Sequence, residues 1–207
     1  VPGVGIDEKK FDFKMSEKEK MELRKSLGLK KDDFVITYVA RLDKNKNQLM
    51  IIQVMKELCK KYENFYLLLV GNDELDGEYQ KIVKKAMLGG KIHFLGYRKD
   101  IPHILKVSNL AISTSIREGL GLNLIEANRC GLPVVATNNR GHKDIVKNAE
   151  NGYLVQIDDY KDMEDKILKL YSDPKKYAYM SKQAIKYSKK YDLNPILSKV
   201  DDIYERR

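Results

Sequence analysis

Cysteine is scarce in this 207-residue chain. Cys59 and Cys130 stand alone, too few to staple a fold with disulfides. Both fall in segments that read as helices, so they are expected to be buried thiols of a reducing compartment. No run of about 18 apolar residues exists, which excludes a membrane-spanning helix. Val1-Pro2-Gly3-Val4-Gly5 has neither the basic nor the apolar stretch of a signal peptide and no initiator methionine. The expectation is a piece of something longer. His93, His103 and His142 show no ligand spacing, and no Asp-x-Asp with apolar flanks occurs, so no metal is expected. Internal repeats, low-complexity tracts and nucleic-acid motifs are also missing.

Positive charge, by contrast, is abundant. The formal net charge is +9, which would suit nucleic acid, an anionic membrane surface or phosphorylated ligands. The lysines are dispersed, however, in pairs such as Lys30-Lys31, Lys84-Lys85 and Lys189-Lys190, so a solvated surface is expected. The length allows one large α/β domain or two small ones.

Helical and strand-like segments alternate. Ser16 and Glu19 have capping-box spacing ahead of a helix over 16–27 that Gly28 ends. Strands are expected at 34–40, 65–70, 91–95, 109–113, 133–137 and 152–155, with helical periodicity between them. This order means a Rossmann-like, doubly wound parallel sheet of about six strands, with a helical C-terminus. Asp173-Pro174 marks the start of the last helix. Residues 1–14 read as a lead-in from a missing upstream part, and 15–207 as the domain.

The segment from Ser115 to Glu126, SIREGLGLNLIE, says most about function. It lies between the 109–113 strand and a helix whose apolar side would hold Leu122, Ile125, Ala127 and Cys130. A turn at the carboxyl end of a strand is where open α/β sheets bind ligands. Gly119 and Gly121 leave backbone bare there, so helix N–H groups can approach an anion such as phosphate. Glu118 precedes the helix and Glu126 lies about two turns into it, so both cannot contact one phosphate. They are better placed to accept hydrogen bonds from hydroxyls on either side of it, as in a nucleotide sugar.

This segment, with the ANRCGLPVVA run that follows, resembles the retaining glycosyltransferases of the GT4 family. Other stretches share the likeness: Pro2 to Asp7 the crossover into the family's C-terminal domain, Ala40-Arg41-Leu42-Asp43-Lys44-Asn45-Lys46-Asn47 its phosphate loop, Phe94-Leu95-Gly96-Tyr97 its base-covering loop, and Asn151 to Val155 its late glycine turn. The resemblance implies the C-terminal, donor-binding half of a GT-B fold. It implies that Arg41 and Lys46 hold the diphosphate and that Glu118 contacts the donor sugar near the reacting centre. Glu126 would accept both ribose hydroxyls, and Gly119, Leu120, Gly121 and Leu122 would offer amides to sugar and phosphate. Tyr97 and Arg98 would line the base pocket through backbone groups. Three departures stand out. The acidic Gly71-Asn72-Asp73-Glu74 turn lacks the usual proline, Asn128-Arg129 would wet one helix face, and Asp144 replaces a more usual glutamate. His142 beside it reads as a surface histidine at a helix start.

The function so implied is transfer of a sugar from a nucleoside diphosphate sugar, UDP-linked, to a glycan or lipid-linked acceptor, as in cell-surface polysaccharide synthesis. No cofactor and no metal are expected, and no nucleic acid as partner. The acceptor would be met through the missing N-terminal part, in the cytoplasm and at the inner face of the membrane. Three other readings stay open: a nucleotide-sugar-binding module without turnover, a nucleotide-sugar epimerase, and a charge-driven anion or nucleic-acid binder.

Overall fold

The structure, a computed structural model, describes residues 5–193. Residues 1–4 of the lead-in and 194–207 of the expected helical end lie outside them. In chain order the elements are α1 (Glu17–Ser26), β1 (Phe34–Val39), α2 (Gln48–Lys61), β2 (Phe65–Val70), α3 (Glu78–Lys85), β3 (Ile92–Gly96), α4 (Ile101–Lys106), β4 (Leu110–Ser113), α5 (Leu122–Arg129), β5 (Val134–Thr137), α6 (Arg140–Ile145), β6 (Gly152–Val155), α7 (Tyr160–Ser172) and α8 (Pro174–Ser188). The capping box forms as its spacing predicts: the Ser16 hydroxyl accepts from the Glu19 amide at 3.2 Å, and the Glu19 carboxylate accepts from the Ser16 amide at 2.7 Å. Gly28 ends this first turn sequence with φ +74°.

All six strands pair in parallel, in the order β3-β2-β1-β4-β5-β6. The sheet is covered on both sides, which is why FVITYV and FYLLLV are near-continuous apolar runs rather than alternating ones. Ile36, Tyr38, Leu67 and Leu69 point to one face, beneath Met50, Met55 and Leu58 of α2 and Met163, Ile167 and Leu170 of α7. Val35, Leu68 and Val70 point to the other, against Ile104 of α4. Further along that second face, Ala111, Val134 and Ala136 meet Leu124, Ile125 and Ala127 of α5. Ile6 and Phe11 of the lead-in are buried in the same cluster.

The chain comes in and goes out side by side. The Ile6 amide donates to the Tyr191 carbonyl at 2.8 Å, and the Leu193 amide donates to the Ile6 carbonyl at 3.0 Å, forming a parallel bridge between Ile6 and Asp192. Beneath that bridge lies Arg129 of α5. Its Nε and Nη2 donate to the two Asp12 carboxylate oxygens at 2.7 and 2.6 Å, and its Nη1 lies 3.1 Å from Asp192.

Three expectations about α5 are corrected here. Asn128 and Arg129 do not wet the helix: they are 1% and 5% exposed. Asn128 donates to the Leu124 carbonyl at 2.7 Å and accepts from Asn151 at 2.8 Å, so each buried polar group has a partner. Leu122, placed on the apolar side by periodicity, is instead 37% exposed at the helix start. Glu126 is the fifth residue of α5, little more than one turn in. The cysteines do sit in or at the end of helices but are half-buried and unpaired; burial pushes the Cys130 thiol up to about 12.

Candidate functional site

Sheet order reverses between β1 and β4, so the loops leaving their carboxyl ends part there and open a crevice. Those two loops are tied to each other. The Ile116 amide donates to the Asn45 carbonyl at 2.8 Å, and the Asn45 side chain both donates to the Arg117 carbonyl at 3.0 Å and accepts from the Arg117 amide at 3.2 Å. Below them the Thr114 hydroxyl lies 2.9 Å from the Lys46 carbonyl and 2.8 Å from that of Asn47, while the Tyr38 hydroxyl donates to the Lys46 carbonyl at 2.9 Å. Burial holds the Tyr38 phenol above its ordinary pKa, keeping it a neutral donor.

This lacing brings together two residues singled out by sequence. Lys46 Nζ lies 2.6 Å from Glu118 Oε2, with the two side chains only 20% and 17% exposed. A cation and a carboxylate thus share the crevice, each half-withdrawn from water. Arg41 does not join them. Its guanidinium is 60% exposed and bonds Glu74 at 2.7 Å, with Asp43 at 3.5 Å, so the acidic turn after β2 serves as its partner. That turn lies close because Gly71, at φ +152°, lets the β2 end approach β1: a Cβ on it would stand 2.1 Å from the Ala40 carbonyl oxygen.

The turn before α5 has the exposed backbone its glycines suggest. Among the described residues, the amides of Gly119, Leu120, Gly121 and Asn123 donate to no acceptor, whereas Leu122 donates to the Leu120 carbonyl. Glu126 follows one turn on. Its carboxylate has no bonded partner among the described residues, and burial pushes it up to about 7, against a slight opposing pull from Lys10. Arg129, three residues on, is occupied by Asp12 and Asp192. Tyr97 is 69% exposed beyond β3, and Arg98 is held by Asp100 through bonds of 2.8 and 2.6 Å.

His142 overturns its surface reading, being fully buried. Its Nδ1 lies 2.7 Å from the Thr137 carbonyl, which requires that nitrogen to carry the proton. Burial lowers its pKa, so the ring is neutral with Nε2 as an acceptor, and Nε2 has no hydrogen-bond partner among the described residues. The ring packs under the glycine turn: a Cβ at Gly121 would stand 3.2 Å from its Cδ2. Beside it, Gly141 donates its amide to the Glu118 carbonyl at 3.1 Å, and a Cβ there would come within 2.6 Å of that oxygen. Asn45, Thr114, Gly141 and His142 therefore hold the site's shape although none was picked as a site residue. The RGH triplet that opens the short helix α6 was the available signal; the burial of its glycine and histidine was not legible.

Comparison with known proteins places the chain in a family. The family model described as glycosyl transferases group 1 matches residues 19–187. The EpsD protein of Bacillus subtilis is 30% identical over 204 residues, spanning 99% of this chain and 53% of that protein. The Escherichia coli UDP-Gal:alpha-D-GlcNAc-diphosphoundecaprenol alpha-1,3-galactosyltransferase is likewise 30% identical, over 97% of this chain and 52% of its own length. Among solved structures, Anabaena HepE in complex with UDP and glucose superposes with a TM-score of 0.89 at 25% identity, over 98% of this chain and 56% of that one. The chain spans about half the length of the curated relatives it matches.

Proposed function

Because the chain belongs to the glycosyl transferases group 1 family, we propose that it is the donor-binding half of a retaining glycosyltransferase, with residues 15–207 forming the domain that holds a UDP-linked sugar. One observation carries this reading: the crevice at the reversal of strand order joins the Lys46–Glu118 pair to a turn of open amides and to the unpartnered carboxylate of Glu126. Cation, amides and carboxylates in that sequence suit a diphosphate with hydroxyls on both sides. The UDP in HepE and the undecaprenol-linked acceptor named for the E. coli relative support the choice of donor and of a lipid-linked acceptor.

In this reading Glu126 accepts from the ribose hydroxyls, a bidentate use open to a carboxylate with no other partner. The amides of Gly119, Leu120, Gly121 and Asn123 point donors at phosphate and sugar, and Leu122 contributes its exposed side chain at their edge. Lys46 neutralises charge on the departing diphosphate, which is where stabilisation lowers the barrier to sugar transfer. Glu118, held by Lys46, receives sugar hydroxyls near the anomeric carbon. Arg41 joins by exchanging Glu74 for phosphate, a swap that costs little because solvent screens exposed ion pairs. Tyr97 and Arg98 present their backbone to the base. The acceptor meets the sugar from a second half, at the inner face of the membrane in the cytoplasm.

Titration calorimetry with UDP tests the assignment. Lys46→Ala and Glu126→Ala are each expected to weaken binding at least tenfold; binding equal to wild type in both variants overturns it. Thermal shifts with UDP-, GDP- and ADP-linked sugars then rank the bases, UDP being expected to stabilise most. Donor hydrolysis by this chain separates a catalytic half from one that only binds.

A further inference from the structure

Among the described helices α8 is the most basic. α1 mixes Glu17, Glu19 and Glu22 with its lysines, and α7 mixes Asp162, Glu164 and Asp165 with its own. α8 and the turn after it carry Lys175, Lys176, Lys182, Lys186, Lys189 and Lys190 without one acidic residue. Met180, Ala184 and Ser188 face the core. At about 100° per residue, Lys175, Tyr179, Lys182, Lys186 and Lys189 then gather on the opposite, solvent side. Tyr179 is 46% exposed in the middle of that stripe and Ile185 40% exposed on its flank. Lys176 Nζ stands 5.4 Å from the Tyr179 ring centroid. Among the described residues Lys175, Lys182, Lys186 and Lys189 belong to no ion pair.

We propose that the outer face of α8 docks the domain on the surface of an anionic phospholipid bilayer. Four unpaired lysines supply attraction to acidic headgroups, and their stems can lie flat while the charges reach the phosphates. Tyr179 suits a headgroup layer or a stacked base alike, but the exposed Ile185 favours the bilayer: a branched aliphatic chain among lysines can enter the headgroup layer, whereas single-stranded nucleic acid is held by charges and aromatic stacking. Among the described residues no helix is long and apolar enough to cross a membrane, so the contact is peripheral. The inference rests on this surface alone and not on the donor site.

Co-sedimentation of the 207-residue chain with vesicles of phosphatidylcholine, and of phosphatidylcholine mixed with phosphatidylglycerol, tests it. Binding is expected to the mixed vesicles only, and to fall with added salt. The triple variant Lys182→Gln, Lys186→Gln, Lys189→Gln should lose about a hundredfold in partitioning, at about fivefold per lysine. Tyr179→Ser with Ile185→Ser should also weaken it, charge being unchanged. Lys81→Gln, Lys84→Gln, Lys85→Gln on α3 makes the same change in net charge elsewhere and is expected to leave binding intact. No binding to mixed vesicles, equal loss in the α3 and α8 variants, or tighter binding to single-stranded DNA than to the vesicles at the same salt each overturns the proposal. The α8 variants keep wild-type UDP affinity if the donor-site reading holds, so the two readings fail separately.

Discussion

Lys46 and Glu118 lie 72 positions apart in the chain and 2.6 Å apart in space, one on the loop after β1 and the other on the loop after β4. The pair is a strut across the crevice. Removing Lys46 as methionine leaves a mostly buried carboxylate unmatched, which is expected to cost about 2 kcal/mol of stability. Adding Glu118→Gln should recover part of that loss. Urea unfolding of both singles and the double variant measures the coupling; fully additive losses would show that the two side chains do not support each other.

Glu126 ties stability to pH. Its folded pKa is raised from 4.5 to about 7, so the folded state favours the protonated form and loses stability as pH climbs between those values. Glu126→Gln removes that penalty. Relative to wild type it should be level near about pH 4 and more stable by about 2 kcal/mol near about pH 8, allowing for partial solvent access. Urea midpoints at the two pH values check this.

The same carboxylate should make nucleotide binding pH-linked. Hydroxyl donors prefer the ionised form, so UDP affinity is expected to rise with pH up to about 7 and to release protons near neutrality. Calorimetry in buffers of different ionisation heat reads that release directly. Glu126→Gln should abolish it; proton release unchanged in the variant would place the titrating group elsewhere.

Gly141→Ala separates site from fold. A Cβ at that position presses on the Glu118 carbonyl oxygen at 2.6 Å, while at Gly119 it meets nothing within 4 Å. The Gly141 variant should stay folded and lose UDP-sugar affinity several-fold, because the peptide joining Glu118 to Gly119 must shift. Gly119→Ala should melt like wild type, its Cβ meeting nothing within 4 Å, and bind less tightly, because that Cβ covers the bare backbone a ligand would approach. Melting curves alongside binding isotherms distinguish the two.

Arg129→Leu removes the cation that Asp12 and Asp192 share. Two carboxylates then crowd together without compensation, and a loss of about 3 kcal/mol is expected. Faster amide exchange at Ile6 and Leu193 should accompany it, since their bridge sits on that arginine.

Much of the architecture could be read from periodicity because both faces of the sheet are covered. Phe34–Val39 and Phe65–Val70 declare themselves as unbroken apolar runs, and Ser16, Gly28 and Asp173 mark helix ends through local chemistry that needs no knowledge of the fold. What failed depended on distant partners. Arg129 is charged and adjacent to exposed-looking residues, yet Asp12 and Asp192 make its burial tolerable. His142 reads as polar surface, but Thr137 and Gly121 enclose it. The pairing of Arg41 with Glu74, 33 positions along the chain, likewise appears only in the fold. The strand order, and with it the meeting of Lys46 and Glu118, is equally a property of tertiary structure rather than of any window of sequence.

The bridge between Ile6 and Asp192 makes the domain's two ends a single stalk. Arg129, paired with Asp12 and Asp192 at that point, closes α5, whose preceding turn carries Glu126. The crossing of the two chain segments and the carboxylate proposed for the ribose hydroxyls thus share one helix, so a shift of the bridge is expected to reach Glu126 through α5 alone.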